Sequence, residues 1–195
     1  MVFAQPITLQ GPWVTLEPLR AEHAEEAREA VQDGELWKLW VTRIPPPEEM
    51  ADEIQRRLHE QAQGRWLPFA LRDAQGRFAG MSSYLNIDAT NRRLEIGSTW
   101  LRASAQRTAL NTNAKLLLLT HAFEALGCVA VEFRTHHLNF QSRAAIARLG
   151  AKQDGILRQH QRLPNGSWRD TVVFSILDHE WPTVKTHLTH LLHVD

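Results

Sequence analysis

The run from Arg93 to Thr135 limits the fold more than any other stretch of the chain. "RRLEIGSTWLR" alternates as a strand does, "NAKLLLLTHAFEALG" carries an apolar stripe wide enough for a buried helix, and "VAVEFRT" is extended again. A strand, helix, strand unit of this kind brings its two strands into one sheet as parallel neighbours, joined by a crossover. In the first strand Leu94, Ile96, Ser98 and Trp100 alternate with Glu95, Gly97, Thr99 and Leu101, which sets Glu95 on the face opposite Leu94 and Ile96.

The remaining elements must fit around that unit. "WVTLEPLR" reads as a first strand, and "AEHAEEAREAVQDGELWKLW" has helical composition. "RIPPPEEMADEIQRRLHEQAQG" is a second helix, with prolines and acidic residues at its start and Gly64 as its stop. "LPFALRD" and "RFAGMSSYLNI" form a hairpin turning at Gly76. "NFQSRAAIARLG" is a short helix, "AKQDGILRQHQRL" and "SWRDTVVFSIL" pair across "PNG", and "EWPTVKTHLTHLL" closes the chain as a helix. The fold class is α/β with a mixed sheet. With 195 residues, no internal repeat and no long linker, one domain spanning residues 1–195 is expected.

Charge and cysteine usage narrow the function. Lys and Arg number 22 and so do Asp and Glu, so no overall field steers the chain toward nucleic acid or an anionic membrane. "MVFAQPITLQGPW" has no basic and apolar leader pattern, and no run of about eighteen apolar residues occurs, so a cytoplasmic, membrane-free protein is expected. Cys128 is the sole cysteine and reads as a small buried hydrophobe. Of ten histidines, His136 and His137 point to opposite faces of a strand, and His187, His190 and His193 are as well explained by a terminal amphipathic helix. No metal is expected.

The polar loop "SAQRTALNTN" opens the leucine-rich helix. A helix that starts on such a loop presents unpaired N–H groups at the positive end of its dipole, which suits phosphate. Asn111 is the expected N-cap, and Arg107 adds a planar cation for phosphate oxygens. A plain capped core helix with a solvated Arg107 explains the same residues.

Several stretches together carry a resemblance: "VTLEPL", "EIGSTWL", "AQRTALNTNAKLLLLTHAFEALGC", "VEFRTHHLNFQSRAAIARLGA" and "LPNGSWRDTVVFSILDHEWP". In this order they resemble the GNAT superfamily of N-acetyltransferases, and within it the Rim-type branch that acetylates protein N-termini. The resemblance implies a mostly antiparallel sheet with helices on both faces and a V-shaped splay between the strands of "EIGSTWL" and "VEFRT". It implies acetyl-CoA as cosubstrate in that V, with Trp100 and Leu101 offering backbone groups to the pantetheine arm. The pyrophosphate loop would be Gln106, Arg107, Thr108, Ala109, Leu110 and Asn111, with Lys115 one turn on, and Asn139 would bond the pantetheine arm. The family loop carries glycines and this one has none, so Thr108 and Ala109 put a Cβ where close phosphate approach favours its absence.

Acetyl transfer to an amine needs a proton acceptor and a group that helps the thiolate leave. Glu95, upstream of the cofactor contacts, is the candidate base, against the plain alternative of a salt-bridged strand glutamate. The family's usual tyrosine is replaced by Ile146, and the only tyrosine, Tyr84, lies elsewhere. Ser142, in the Rim-type position near the sulfur, is the candidate in its place, with helix-start hydrogen bonding as its other role. Trp37 and Trp40, three apart, are expected on one helix side, as core or as the entrance for an acceptor. The expected activity is acetyl-CoA-dependent acetylation of a protein N-terminus or a small primary amine. An acyl-CoA sensor without turnover and a structural α/β module are the rivals, and a homodimer through the C-terminal helix is open.

Overall fold

The computed structural model describes residues 3–163 and 165–193. Pro164 of the expected "PNG" turn, and the terminal residues Met1, Val2, Val194 and Asp195, lie outside the described residues. One eight-stranded sheet runs in the order β1-β2-β3-β4-β5-β6-β8-β7, built from β1 (Leu9–Gln10), β2 (Val14–Pro18), β3 (Leu67–Asp73), β4 (Phe78–Asp88), β5 (Arg93–Leu101), β6 (Ala130–His136), β7 (Lys152–Arg162) and β8 (Trp168–Leu177). Every neighbouring pair is antiparallel except β5 and β6. The parallel pair is the crossover expected from the sequence.

Helices cover both faces. On one, α1 (Ala24–Gln32) and α2 (Met50–Ala62) bury Ala27, Ala30, Val31, Met50 and Ile54 against Ala70, Phe78, Met81 and Trp100. On the other, α3 (Ala109–Thr120), α4 (Phe140–Arg148) and α5 (Trp181–Leu191) seal the larger core around Phe69, Tyr84, Leu94, Ile96 and Phe133. The C-terminal helix therefore covers its own core, through Trp181, Val184 and Leu188. No described helix is long and apolar enough to cross a membrane.

Three local expectations change. The first helix ends at Gln32, and beyond the left-handed Gly34 and Glu35 the chain makes only a 3-10 turn, Leu36–Lys38. Trp37 and Trp40 thus do not share a helix side. Trp37 packs on the α1/α2 core, while Trp40 is 58% exposed. Second, the N-cap of α3 is Thr108, whose hydroxyl accepts from Leu110 N, and Asn111 lies inside the first turn. The helix begins three residues earlier than the Asn111 cap implied, because Thr108 is also a cap residue and comes first.

The third change concerns β5. Met81 pairs with Trp100 but Ser83 pairs with Gly97, so Ser98 and Thr99 together oppose Ser82. This is a β-bulge, with Ser98 at φ 48°. The extra residue reverses the phase, so Trp100 joins Glu95 and Gly97 on the α1/α2 face and Leu101 returns to the face of Leu94 and Ile96. Simple alternation had Trp100 with Leu94. Gly80 pairs with Leu101 just beyond the bulge, where an added Cβ would sit 2.1 Å from the Trp100 carbonyl oxygen. Only glycine admits so close an approach.

Candidate active site

Pairing between β5 and β6 lasts three residues, Arg93↔Ala130, Leu94↔Val131 and Glu95↔Glu132. Beyond them β5 continues to Leu101 and β6 to His136 without pairing to each other. The strands splay, and the backbone edge of Ile96–Leu101 has no strand on its β6 side. A cleft of about 1680 Å³ opens there. Pockets for one small ligand usually measure about 300–1,000 Å³, so this one has room for two reactants.

At one end stands the start of α3. Asp33, at the end of α1, holds the approach: its Oδ2 accepts from Arg102 Nε at 3.0 Å and from the Ser104 hydroxyl at 2.6 Å, and its carbonyl accepts from Ala103 N. The Ser104 hydroxyl, then Arg102, keep the Asp33 carboxyl below its ordinary range. Gln106 Nε2 donates to the Leu101 carbonyl at 2.8 Å and Thr108 Oγ1 donates to the Ala105 carbonyl. Arg107 adopts φ 58°, the left-handed region, so the loop makes its tight turn without glycine and accepts the strain.

Most of the expected cofactor residues gather here. Trp100, Leu101, Gln106, Arg107, Thr108, Ala109, Asn111, Lys115 and Asn139 all line the cleft. Leu110 does not. Its side chain is buried in the core, 4% exposed. Gln106 braces the loop through Leu101 with one N–H of its amide, which leaves the second N–H of that amide uncommitted among the described residues. Asn111 Oδ1 and Trp100 Nε1 are buried and lack partners among the described residues. Lys115 turns inward beneath α3, where Nζ donates to Thr99 Oγ1 at 3.0 Å with Ser82 Oγ at 3.5 Å. No carboxylate among the described residues pairs with it, and burial brings its pKa down from 10.5 to about 7.

Glu95 stands at the floor of the V, 6% exposed. Asn86 sits at a second irregularity of the β4–β5 pair, with φ 47°, and turns its Nδ2 onto Glu95 Oε2 at 2.8 Å. Arg134 Nε lies 3.5 Å from the same oxygen. Burial raises the Glu95 pKa above 4.5 while Arg134 and Asn86 oppose the rise. Gly97 makes room for this carboxylate, since a Cβ there would meet Glu95 Oε1 at 2.9 Å.

Ser142 and Asn139 face the cleft from the start of α4. Asn139 Oδ1 caps the helix by accepting from Ser142 N at 3.0 Å, and no described residue bonds the Ser142 hydroxyl. Trp37 and Trp40 do not form the cleft wall; Leu39, Val41, Thr42 and Arg43 do. Trp40 reaches its rim, edge-on to His136 at 5.4 Å. No group of three or more His, Cys, Asp or Glu able to hold a metal occurs among the described residues, His187, His190 and His193 included.

Five contributors lay outside the sequence reading: Asp33, Arg57, Asn86, Arg134 and Arg169. Arg57 on α2, 2% exposed, donates from Nη2 to the Ser98 carbonyl at 3.1 Å and to Ser98 Oγ at 2.9 Å, and is paired with Glu53 at 2.7 Å. It pins the bulge. Asn86 was within reach of a register count back from the turn after Asp88; the others depend on contacts between distant elements.

A strand pair that splays beside a helix N-terminus, with a buried glutamate in the angle, is the arrangement of an acyltransferase cleft, and comparison with known proteins agrees. The Acetyltransferase (GNAT) domain family matches residues 14–152, and the chain belongs to that family. It is 35% identical over 106 residues to "Putative ribosomal N-acetyltransferase YdaF" of Bacillus subtilis (strain 168); the match spans 54% of this chain and 57% of that protein. Among solved structures, a GCN5-related N-acetyltransferase from Brucella melitensis is 31% identical with a TM-score of 0.86, covering 97% of this chain and 86% of that one. Mycobacterium smegmatis RimJ in complex with CoA-disulfide, 23% identical, shares the fold at a TM-score of 0.80, with 95% of each chain covered.

Proposed function

We propose that the protein is an acetyl-CoA-dependent N-acetyltransferase whose acceptor is a protein N-terminal α-amine or a small primary amine, and that it acts in the cytoplasm. The observation that carries this reading is the end of β5–β6 pairing at Glu95, which leaves an open strand edge between the α3 N-terminus and a buried carboxylate. GNAT relatives, one with a ribosomal N-acetyltransferase name, support it.

The residues present fit the cosubstrate. Asn111 and Trp100, each with a buried polar atom that lacks a partner among the described residues, and Lys115, whose amine has no counter-ion among them, all line the cleft. Acetyl-CoA when bound supplies the activated thioester. Arg107 and the first-turn amides of α3 hold the diphosphate, the Trp100 and Leu101 backbone and Asn139 Nδ2 hold the pantetheine arm, and Arg57 keeps the bulge in place. Glu95, with its raised pKa, takes the proton from the attacking amine directly or through one water. The Ser142 hydroxyl, at the positive end of α4, assists departure of the thiolate.

Calorimetric titration with coenzyme A, followed by acetylation of a panel of peptides and amines, tests the reading. Binding with micromolar or better affinity and transfer to at least one amine are expected. Ser142→Ala lowers kcat and leaves coenzyme A affinity nearly unchanged; an unaltered kcat removes Ser142 from the mechanism. No heat of binding with coenzyme A refutes the whole assignment.

A further inference from the structure

The cleft is far more basic than the chain. Net charge is zero over 195 residues, yet among the described charged residues lining the cleft seven are Arg or Lys and Glu95 is the only carboxylate. Three of the cations, Arg107, Lys115 and Arg148, stand on or beside α3 and α4, where the cosubstrate's phosphates are proposed to lie. Two are already matched, Arg57 by Glu53 and Arg134 by Glu132 and Glu95. That leaves Arg43, exposed on the loop before α2, and Arg169.

Arg169 is built into the sheet. It lies on β8 in register with Gln161 of β7, on the same face as Thr171, which is paired with His136 of β6. Its Nε donates to Thr171 Oγ1 at 3.0 Å, a hydroxyl that also contacts His160 Nδ1 at 3.1 Å, so the guanidinium plane is anchored from one edge. Its two terminal nitrogens have no hydrogen-bond partner, and the whole group no carboxylate within 4 Å, among the described residues. Arg169 and Glu95 line the same cleft, where burial disfavours the guanidinium charge and the Glu95 carboxylate supports it. A half-buried guanidinium with one fork free is a receptor for a planar anion.

Resting on the acetyltransferase reading, we propose that the acceptor carries a carboxylate close to its amine and that the free fork of Arg169 receives it. With the amine at Glu95, an acceptor of this kind sets its anion against the one unmatched cation of the floor. An acidic side chain next to a peptide's terminal residue and the carboxylate of a small amino acid offer the same chemistry. Amines with no anion, and peptides with a basic second residue, leave Arg169 unpaired and are poor acceptors.

The test compares acceptors that differ only in charge: peptides with Asp or Asn as second residue, and β-alanine against its amide. The member with the carboxylate is expected to have a kcat/KM about ten to a hundred times higher, and the pair in which the preference appears identifies its source. Arg169→Gln brings the ratio toward one, while Arg169→Lys keeps part of it. Equal rates for both members of both pairs overturn the inference, as does a preference that survives Arg169→Gln in protein that still binds coenzyme A. If no acceptor is acetylated, the same pairs are titrated onto the coenzyme A complex by ligand-observed NMR. Tighter binding of the carboxylate member then upholds recognition while transfer fails, and equal binding refutes recognition.

Discussion

Replacing Lys115 with methionine removes a cation that folding forces to give up its proton. In the folded protein Lys115 is 7% exposed and its amine bonds only the hydroxyls of Thr99 and Ser82 among the described residues, and those hydroxyls are also bonded to each other at 2.7 Å. Its pKa is about 7 folded against 10.5 for the free side chain. Between those values the unfolded chain holds a proton that the folded chain has lost, so the wild type gains stability as pH rises through this window. At about 1.4 kcal/mol per pH unit, the lysine costs roughly 4 kcal/mol at pH 7 and roughly 2 kcal/mol at pH 9. Urea unfolding of wild type and Lys115→Met at both pH values isolates this group, because other titrations cancel in the difference. The variant's advantage is expected to shrink by about 2 kcal/mol from pH 7 to pH 9. Parallel pH dependence of the two proteins refutes a deprotonating lysine. Coenzyme A binding at pH 8 should also draw in a proton, seen as a buffer-dependent binding enthalpy that Lys115→Met abolishes.

Three further outcomes follow from contacts already described. Glu95→Gln should lower kcat by about 10²–10⁴ with little change in coenzyme A affinity, and the wild-type rate should rise with pH through a Glu95 pKa lifted above 4.5; a variant as fast as wild type removes Glu95 as the base. Arg57→Met removes the hydrogen bonds to Ser83 and Ser98 and one of the two arginines on Glu53, Arg56 staying in place, and should cost about 1–3 kcal/mol in urea unfolding; an unchanged unfolding midpoint would mean that the bulge stands without Arg57. Gly80→Ala drives a methyl group against the Trp100 carbonyl and should lower stability by more than about 2 kcal/mol; an unchanged melting temperature would mean that the bulge yields easily.

The parallel crossover, the two hairpins and the helices were legible because each rests on local patterns: alternation, a wide apolar stripe, and a Gly or Asn-Gly turn. Glu95 was legible for the same reason, since the alternation that exposed it precedes the bulge. Alternation sets Trp100 on the wrong face because nothing in "GSTWL" marks an extra residue; the bulged Ser98 is held from α2 by Arg57, 41 residues away. The Trp37–Trp40 helix failed because Gly34 and Glu35, both left-handed, end α1 within a segment of otherwise helical composition. Asn111 and Thr108 are cap residues of similar strength, so choosing between them needed the geometry of Ala105 and Gln106 ahead of them. Arg169 had no signal of its own: its anchoring through Thr171 and His160, with its terminal nitrogens left without a partner among the described residues, is a property of three strands together.

The short β5–β6 seam also governs how the molecule flexes. Five strands lie on one side of it and three on the other, and the backbone ladder riveting these plates together is only three residues long. A molecule wedged between the plates ties their free margins to each other. Occupancy should therefore slow amide exchange along Ile96–Leu101 and Phe133–His136 far more than in β3, which is hydrogen-bonded on both sides whether or not anything is bound.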